Sequence, residues 1–251
     1  MSIIAVASPI ADQGQTTTAV SLAGALVQQG LSVILADLDP RNKLADYFGE
    51  KASPGLTFFD LFSSGTPNTD SAETVPAASG VDGIALIPAG TDLATSVQAI
   101  GAQEGKGLIV SRFLSSLEAA SDPIVINCPQ DLGILMVNAL AASDTLVIPI
   151  GADALQDESL GALLQFAQMV ENSKQRQLKK LLVLTRYQGT PEEAESVLAE
   201  MKDTHGELVW PGFVPADDNI ATAGEKGLPV VEVDPQTPAA IAFRQIIGEI
   251  A

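Results

Sequence analysis

Small polar residues follow the first apolar run of the chain, at a point where a strand is expected to turn into a helix. The segment reads Ser8-Pro9-Ile10-Ala11-Asp12-Gln13-Gly14-Gln15-Thr16-Thr17-Thr18. Backbone N–H groups of such a loop, and of the helix that follows, can bind phosphate. Of the phosphate-loop pattern Gly-x-x-x-x-Gly-Lys-Ser/Thr only Gly14 and Thr16 are present, because Pro9 replaces the first glycine and Gln15 the lysine. An ordinary strand-to-helix turn capped by hydroxyl groups remains an alternative.

Two carboxylates, Asp37 and Asp39, lie at the end of the second apolar run. As a pair they could hold a metal ion, and Asp37 alone could bind a ribose in a dinucleotide-binding unit. The absence of the Gly-x-Gly-x-x-Gly pattern argues against that second interpretation. The only cysteine, Cys128, excludes a disulfide framework and a thiolate zinc site. The only histidine, His205, argues against a histidine metal cluster or a Ser-His-Asp triad.

Short apolar strands alternate with helical stretches along the chain. Strands are predicted at Ile3–Ser8, Ser32–Asp37, Ile84–Ile87, Ile124–Asn127, Thr145–Ile148 and Lys180–Thr185. Helices are predicted at Thr16–Gln29, Lys106–Ala119, Glu158–Ser173, Pro191–Met201 and Pro238–Ile250. This alternation predicts an α/β fold with a mostly parallel, twisted sheet covered by helices on both faces. No internal repeat or long linker interrupts it, so we expect one domain over residues 1–251, with Ser63–Gly80 as a surface loop.

The charge of the chain restricts its partners. The 251 residues carry a net charge of −18, and 46% are hydrophobic. A strongly acidic surface argues against binding to nucleic acid or to anionic lipid, since both need basic patches. No apolar run reaches the roughly 18 residues that a membrane-spanning helix needs. The N-terminal segment Met1–Ala7 lacks the basic start of a signal peptide, so we expect a cytoplasmic protein.

Several segments of the chain form a pattern together. Three of them are the start of the first helix (Thr16–Ala23), the second strand (Ile34–Pro40) and the strand Ile124–Pro129. Further segments continue the pattern: Thr57–Leu61, Leu86–Ala94, Leu132–Gly133, Asn138–Asp144, Val147–Pro149, Gly227–Val230 and Asp234–Pro235. Together they resemble the ParA/Soj/MinD family of partition and positioning ATPases, in which Ile124–Pro129 corresponds to the Walker B strand. The resemblance covers essentially the whole chain and implies a P-loop NTPase-like fold.

The family's deviant phosphate loop reads Lys-Gly-Gly-x-Gly-Lys-Thr-Thr. At these positions the chain carries Ile10, Ala11, Asp12, Gln13, Gly14, Gln15, Thr16 and Thr17. The resemblance implies that any retained nucleotide binding would use residues Ala11 to Thr17. It also implies that Ile10 replaces the signature lysine and that Gln15 replaces the phosphate-binding lysine.

The positions that would hold magnesium and water are also altered. By resemblance, Thr16 would bind magnesium through its hydroxyl, and Asp39 stands where the family activates the hydrolytic water. Asn127 replaces the Walker B aspartate that orders magnesium through water. We therefore expect Asp39, Thr16 and Asn127 to be vestiges of a catalytic and metal site.

These replacements predict weak phosphate binding. Relative to the family pattern, two lysines are replaced and Asp12 is added, so the charge of the loop changes by about three units toward negative. One charge pair at contact contributes roughly 4 kcal/mol at an effective dielectric near 20, so this change disfavours a bound phosphate. We expect a degenerate member of the family that binds ATP poorly or not at all, without a cofactor and without ATPase activity. An engineered lysine replacement would explain Gln15, but not Ile10, Asp12 and Asn127 together.

Two other functions remain open. An atypical active ATPase for plasmid, chromosome or organelle positioning could bind ATP and magnesium by supplying its missing charges from outside the loop. An enzyme of the related amidoligase or synthetase branches would also need an intact phosphate loop, and is therefore less favoured.

Several conspicuous residues have simpler interpretations. Cys128 is expected to be a buried small hydrophobic residue. His205, in a turn-like stretch, is expected to be exposed and inert. Trp210 and Phe213 are expected to lie at the edge of the core rather than to stack on bases. The basic cluster Lys174–Lys180 is expected to complement a helix dipole.

The segments that are basic in DNA-binding members of the family are acidic here, at Gln188–Glu193 and Pro215–Asn219. The closing helix lacks a basic face and is expected to pack on its own sheet. We therefore expect a protein that acts through protein–protein contacts, with an intact ParA-like relative or an adaptor as partner. A homodimer is compatible with this hypothesis, whereas nucleic-acid binding would be weak or absent and membrane binding absent.

Overall fold

A sheet of short, buried strands forms the centre of the fold. The computed structural model describes residues 2–49, 55–64, 76–100, 106–117 and 122–250. The strands are β1 (Ile3–Val6), β2 (Val33–Asp37), β3 (Ala77–Ala78), β4 (Ile84–Ile87), β5 (Ile124–Asn127), β6 (Thr145–Ile150), β7 (Lys179–Tyr187) and β8 (Val209–Pro215). Their order is β3-β4-β2-β5-β1-β6-β7-β8. Among the described strands only the β3–β4 pair is antiparallel, so the predicted mostly parallel sheet is confirmed.

Helices cover both faces of this sheet, as predicted. They are α1 (Gln15–Val27), α2 (Lys43–Phe48), α3 (Phe58–Ser64), α4 (Leu93–Ile100), α5 (Ile109–Ser116), α6 (Ile134–Ala142), α7 (Glu158–Lys174), α8 (Pro191–His205), α9 (Asp218–Lys226), α10 (Val230–Val233) and α11 (Pro238–Ile250). Alternate residues of β1 enter opposite core layers: Ile3 and Ala5 pack on the side of α6 and α7, whereas Ile4 and Val6 pack on the side of α1 and α11. Within the described ranges, no helix combines the length and the apolar character needed to cross a bilayer.

The first and last helices pack side by side on one face of the sheet. Phe243, Ile246 and Ile247 of α11 are buried there, as expected for a helix that packs on its own sheet. Ile241 of the same helix is 37% exposed. Gly24 of α1 allows a close approach to the segment before α10, since a Cβ at that position would lie 2.3 Å from Cβ of Pro229.

Some element boundaries differ from the prediction. Strand β8 was missed because Pro211, Gly212 and Pro215 are typical of turns, but β8 is an edge strand, where proline is tolerated. The predicted helix Lys106–Ala119 is a short 3-10 turn followed by α5, and its last two residues lie outside the described residues. Within the predicted loop Ser63–Gly80, α3 ends at Ser64 and β3 occupies Ala77–Ala78, while residues 65–75 lie outside the described residues.

Candidate functional site

A pocket of about 470 Å³ opens at the carboxyl ends of the parallel strands, where ligands bind in open α/β sheets. Its floor is the loop between β1 and α1 together with the first turn of α1, and the whole predicted segment Ala11 to Thr17 lines it. Arg41 and Lys43 reach it from the loop after β2, Gln130 from the loop after β5, and Arg186 from the end of β7. An apolar end is formed by Val214, Ile220 and Phe243.

Long-range hydrogen bonds hold the loop before α1 in place. The Gln13 side-chain oxygen accepts a bond from the backbone N–H of Gly151 at 2.6 Å, and its backbone carbonyl accepts one from the Thr185 hydroxyl at 3.1 Å. Gly14 begins α1 with φ of 79°, in the left-handed region that glycine adopts without steric cost. Gln13, one of the candidate nucleotide-binding residues, anchors the loop to the residue that follows β6 and to β7.

A chain of side-chain hydrogen bonds connects α1, β5 and β2. The Gln15 side-chain oxygen accepts from the backbone N–H of Ser8 at 2.7 Å. Its amide nitrogen donates to Oδ1 of Asn127 at 3.1 Å and to the carbonyl of Cys128 at 2.6 Å. Asn127 in turn donates from Nδ2 to Oδ1 of Asp37 at 2.9 Å. Gln15 and Asn127, the residues at the lysine and Walker B positions of the family pattern, are therefore partners in one uncharged contact.

Asp37 is fully buried at the end of this series of hydrogen bonds. Besides the bond from Asn127, its carboxylate accepts bonds from the backbone N–H groups of Leu44 at 2.8 Å and Asp39 at 3.1 Å. Burial raises the pKa of Asp37 to about 7, against the lowering effect of these three hydrogen bonds. Asp37 therefore lies inside the fold and does not form a solvent-accessible carboxylate pair with Asp39.

Asp39 is engaged by an arginine that the sequence analysis did not single out. Nε of Arg41 donates to both carboxylate oxygens of Asp39 at 3.0 Å, and Nη2 donates to Oδ2 at 2.6 Å. The Asp39 side chain is only 2% exposed, whereas that of Arg41 is 50% exposed. Nη1 of Arg41 continues to the side-chain oxygen of Gln130 at 3.2 Å, which links the loops after β2 and β5.

The charge balance of the pocket differs from the expectation. The loop itself lacks the two lysines of the family pattern, but Arg41, Lys43 and Arg186 line the pocket, and Asp12 is the one acid among its described lining residues. Arg186 donates to the carbonyl of Asp12 and, at 3.4 Å, to the carboxylate of Asp153. Neighbouring elements therefore bring cations to the pocket, but two of them, Arg41 and Arg186, are paired with the carboxylates of Asp39 and Asp153. These cations could have been anticipated, because Arg41 and Lys43 come shortly after β2 and Arg186 lies near the end of β7, and the carboxyl ends of these strands meet at one edge of the sheet.

The residues of the site do not fit a magnesium ion. Magnesium requires oxygen ligands in near-octahedral geometry, usually including carboxylates. Both polar side-chain atoms of Asn127 are engaged by Gln15 and Asp37, and Asp39 is paired with Arg41. Only the Thr16 hydroxyl is left of the predicted magnesium positions. In the described part of the chain, no three acidic, histidine or cysteine side chains are grouped so that they could hold a metal ion.

Most of the simpler interpretations are confirmed. Ile10, at the signature-lysine position, packs partly buried against the core. Cys128 is completely buried, and this burial raises the pKa of its thiol. Trp210 is buried and Phe213 packs edge-on against Tyr187. His205 does not lie in a turn: it is the last residue of α8.

The basic side chains between Lys174 and Lys180 all make contacts within the protein. Lys174 donates to the carbonyl of Leu140 at 3.2 Å, and Lys180 pairs with the buried Glu171 at 2.7 Å. Arg176 pairs with Asp144, and Lys179 donates to the carbonyl of Glu249. The predicted interaction with a helix dipole therefore applies only to Lys174, which lies in the last turn of α7, since Arg176 lies beyond the helix and Lys179 and Lys180 belong to β7.

Acidic residues cap helices where DNA-binding members of the family are basic. Thr190 and Glu193 form a capping box at the start of α8, and the Asp217 side chain caps α9 by accepting from the backbone N–H of Asn219. Since acids at helix N-termini are stabilising, this acidity has a structural cause.

Comparison with known proteins agrees with this arrangement. The AAA_31 family, described as an AAA domain, matches residues 1–180. The chromosome-partitioning ATPase Soj of Treponema pallidum is 27% identical over 94% of this chain and 92% of its own length. The sporulation initiation inhibitor protein Soj of Bacillus subtilis is 28% identical over 99% of this chain and 98% of its own length. The fold is shared by cobyrinic acid a,c-diamide synthase of Mycobacterium smegmatis with bound ATP analogue and magnesium, with a TM-score of 0.80, 24% identity and coverage of 99% and 93%. With a P-loop NTPase fold, a matching family and Soj relatives along its whole length, the chain belongs to the ParA/Soj/MinD family.

Proposed function

We propose that this protein is a ParA-like partition or positioning protein that has lost the binding and hydrolysis of Mg-ATP and acts through protein–protein contacts. The Gln15–Asn127–Asp37 chain is the observation that carries the proposal. The groups at the lysine and Walker B positions satisfy each other, so neither is available to a phosphate or to a water molecule on magnesium. The pairing of Asp39 with Arg41 supports the loss of hydrolysis in the same way.

The partner would be an intact ParA-like relative or an adaptor protein. By the resemblance, family dimers form with ATP between the subunits, so an interface that works without ATP has to be independent of nucleotide. A homodimer of this chain would then have the same mass with and without Mg-ATP. Light scattering during size-exclusion chromatography measures this mass. The capped, acidic starts of α8 and α9 favour a protein partner over nucleic acid.

The domain and its location are part of the same proposal. Residues 1–251 would form one domain, since α11 packs on α1 and β8 beyond the end of the matched family region at residue 180. A cytoplasmic location would suit a relative of chromosome-partitioning proteins.

Calorimetric titration of the full chain with Mg-ATP, together with a phosphate-release assay, tests the proposal. We expect neither saturable binding of Mg-ATP nor hydrolysis above the background of buffer. A ligand at about 100 times its Kd would stabilise the fold by about 2.7 kcal/mol, so an unchanged melting temperature in millimolar Mg-ATP would agree. Saturable Mg-ATP binding would disprove the proposal, and turnover in addition would favour an active ATPase.

A second candidate, an atypical but active ATPase, is favoured by one observation. Arg41, Lys43 and Arg186 supply positive charge to the pocket from outside the phosphate loop. The same phosphate-release assay separates the candidates, since only the second one requires turnover.

A further inference from the structure

We propose that two copies of this chain associate without nucleotide through a face formed by α4, α6 and α7, with α7 of one copy packed antiparallel on α7 of the other. This inference rests on the proposed function, since it gives the nucleotide-independent contact a surface and a partner, a second copy. The surface is separate from the pocket at the carboxyl ends of the strands, because none of the described residues lining that pocket belongs to these three helices.

An apolar groove of about 380 Å³ runs between the outer surfaces of the three helices. Val97 of α4, Val137 of α6 and Phe166 of α7 line it, together with Leu132 from the loop before α6. Leu132 is 36% exposed, and Met169, one turn beyond Phe166 on α7, is 55% exposed, the highest fraction among the described large hydrophobic residues. Exposed apolar side chains grouped in this way mark a surface that another molecule covers.

This face is uncharged, although the chain as a whole carries a net charge of −18. The exposed positions of α7 from 161 to 173 are occupied by Gly161, Ala162, Gln165, Gln168, Met169, Asn172 and Ser173. None of these residues is charged, and none of the described residues lining the groove is. A charged partner would find no group to pair with here, whereas two acidic copies, which repel each other elsewhere, can approach at an uncharged face.

Gly161 provides an independent sign of a close approach. It lies inside α7 and outside the left-handed region, and a Cβ at this position would meet no atom within 4 Å. Nothing in the described part of the chain therefore requires glycine here, although alanine is the better helix former. At Gly24, by contrast, the neighbouring Pro229 explains the glycine. The open space beside Gly161 can receive a side chain of another molecule.

The spacing along α7 fits a twofold axis at Gln165. Gly161, Gln165 and Met169 follow each other at intervals of four residues and so share one side of the helix. In an antiparallel pair centred on Gln165, Met169 of each copy lies opposite Gly161 of the other copy. A twofold contact uses the same patch on both copies, so this fit is made twice. The unbranched methionine side chain adapts to irregular spaces.

Sedimentation equilibrium of the full chain without nucleotide tests the inference. We expect the mass to rise with protein concentration from the 26.0 kDa of one chain toward twice that value. Salt screens the repulsion between two acidic copies, and the proposed contact contains no ion pair. The dimer should therefore be tighter at about 0.5 M than at about 0.05 M ionic strength.

Gln165→Glu places two like charges opposite each other across the twofold axis, and it should raise the dimer Kd at least about tenfold. Ser196→Glu, at an exposed position of α8, makes the same change in net charge and should alter the Kd by less than about twofold. Gln165→Lys alone should also weaken the dimer. An equimolar mixture of Gln165→Glu and Gln165→Lys should restore it, because opposite charges then meet across the axis.

Gln165 is exposed, so its substitution leaves the core of the protein intact. A monomer at every concentration, equal effects of Gln165→Glu and Ser196→Glu, a dimer weakened by salt, or no recovery in the mixture would overturn the inference. Each of these results would leave the proposed loss of Mg-ATP function untouched. A dimer that forms only in Mg-ATP would overturn both.

Discussion

Gln15 at the start of α1 donates a hydrogen bond to Asn127 at the end of β5, although 112 positions separate them in the chain. By the family resemblance, a lysine and an aspartate stand at these two positions. Exchanging both for amides removes one positive and one negative charge together. The contact between Gln15 and Asn127 is therefore uncharged, and the effect of a substitution at one of these positions on the unfolding free energy should depend on the residue at the other.

A double-mutant cycle on this pair should be strongly non-additive. Asn127→Asp alone places a second carboxylate against buried Asp37 and should cost about 3 kcal/mol of unfolding free energy. Adding Gln15→Lys supplies the opposite charge, so the double variant should be more stable than the sum of the single effects by about 1–3 kcal/mol. Urea denaturation measures all four free energies.

The chain contains a matched control for this cycle. Gln168 and Asn172 of α7 make the same amide-to-amide contact at 3.2 Å on the exposed surface. Gln168→Lys and Asn172→Asp should couple by no more than about 0.5 kcal/mol, since an exposed pair four residues apart contributes little. If the buried pair also couples by less than about 0.5 kcal/mol, Gln15 and Asn127 are independent and our interpretation is wrong.

The buried carboxyl of Asp37 should make the stability of the fold depend on pH. Its pKa is about 7 in the folded state and 3.8 without the fold, so the folded state holds one extra proton between these values. The contribution of Asp37 to the unfolding free energy should therefore fall as pH rises from about 4 to about 7, and stay constant above.

Asp37→Asn isolates this contribution by removing the titrating group. Across the same pH window, the difference in unfolding free energy between the parent and this variant should change with pH, whatever its absolute size. Asp203→Asn, which removes a carboxyl group on the exposed surface of α8, is the matched control for the substitution itself. A pH-independent difference for Asp37→Asn would show that this carboxyl titrates normally.

Rebuilding the family loop should create Mg-ATP binding. The combined substitutions Ile10→Lys, Ala11→Gly, Asp12→Gly, Gln15→Lys and Asn127→Asp restore the positions that differ, while Gly14, Thr16, Thr17 and Asp39 are already present. At about 100 times its Kd, Mg-ATP should then stabilise the variant by about 2.7 kcal/mol in a thermal-shift experiment. Adding Thr16→Val should abolish this stabilisation, because it removes the side-chain hydroxyl that would bind magnesium. An unresponsive rebuilt loop would mean that other features prevent binding.

Binding to DNA should be weak at physiological salt. The net charge of −18, the acidic helix caps and the internally paired cluster at the end of α7 leave little positive surface. Fluorescence anisotropy with random duplex at about 0.15 M ionic strength should show no submicromolar affinity. Submicromolar binding under these conditions would contradict the prediction.

The sequence alone determined the features that depend on local pattern. Short apolar runs such as Ile124–Asn127 have the length and β-branched composition of buried parallel strands, and their alternation with helical stretches predicts the layered fold. The loop before α1 was located by its position between a strand and a helix and by Gly14. Strand β8 escaped because its prolines satisfy the same local rules as a turn, and only its place at the edge of the sheet permits them.

Only the tertiary structure shows which residues of the candidate site bond to each other. The sequence showed that Gln15 and Asn127 are unusual, but not that they bond to each other or that Asn127 also bonds to Asp37. Nor could it show that Arg186 reaches Asp12, 174 positions away, or that Arg41 holds Asp39 and brings charge to the pocket. A parallel sheet gathers the ends of distant strands at one edge, so contacts there depend on strand order and register rather than on neighbours in the chain.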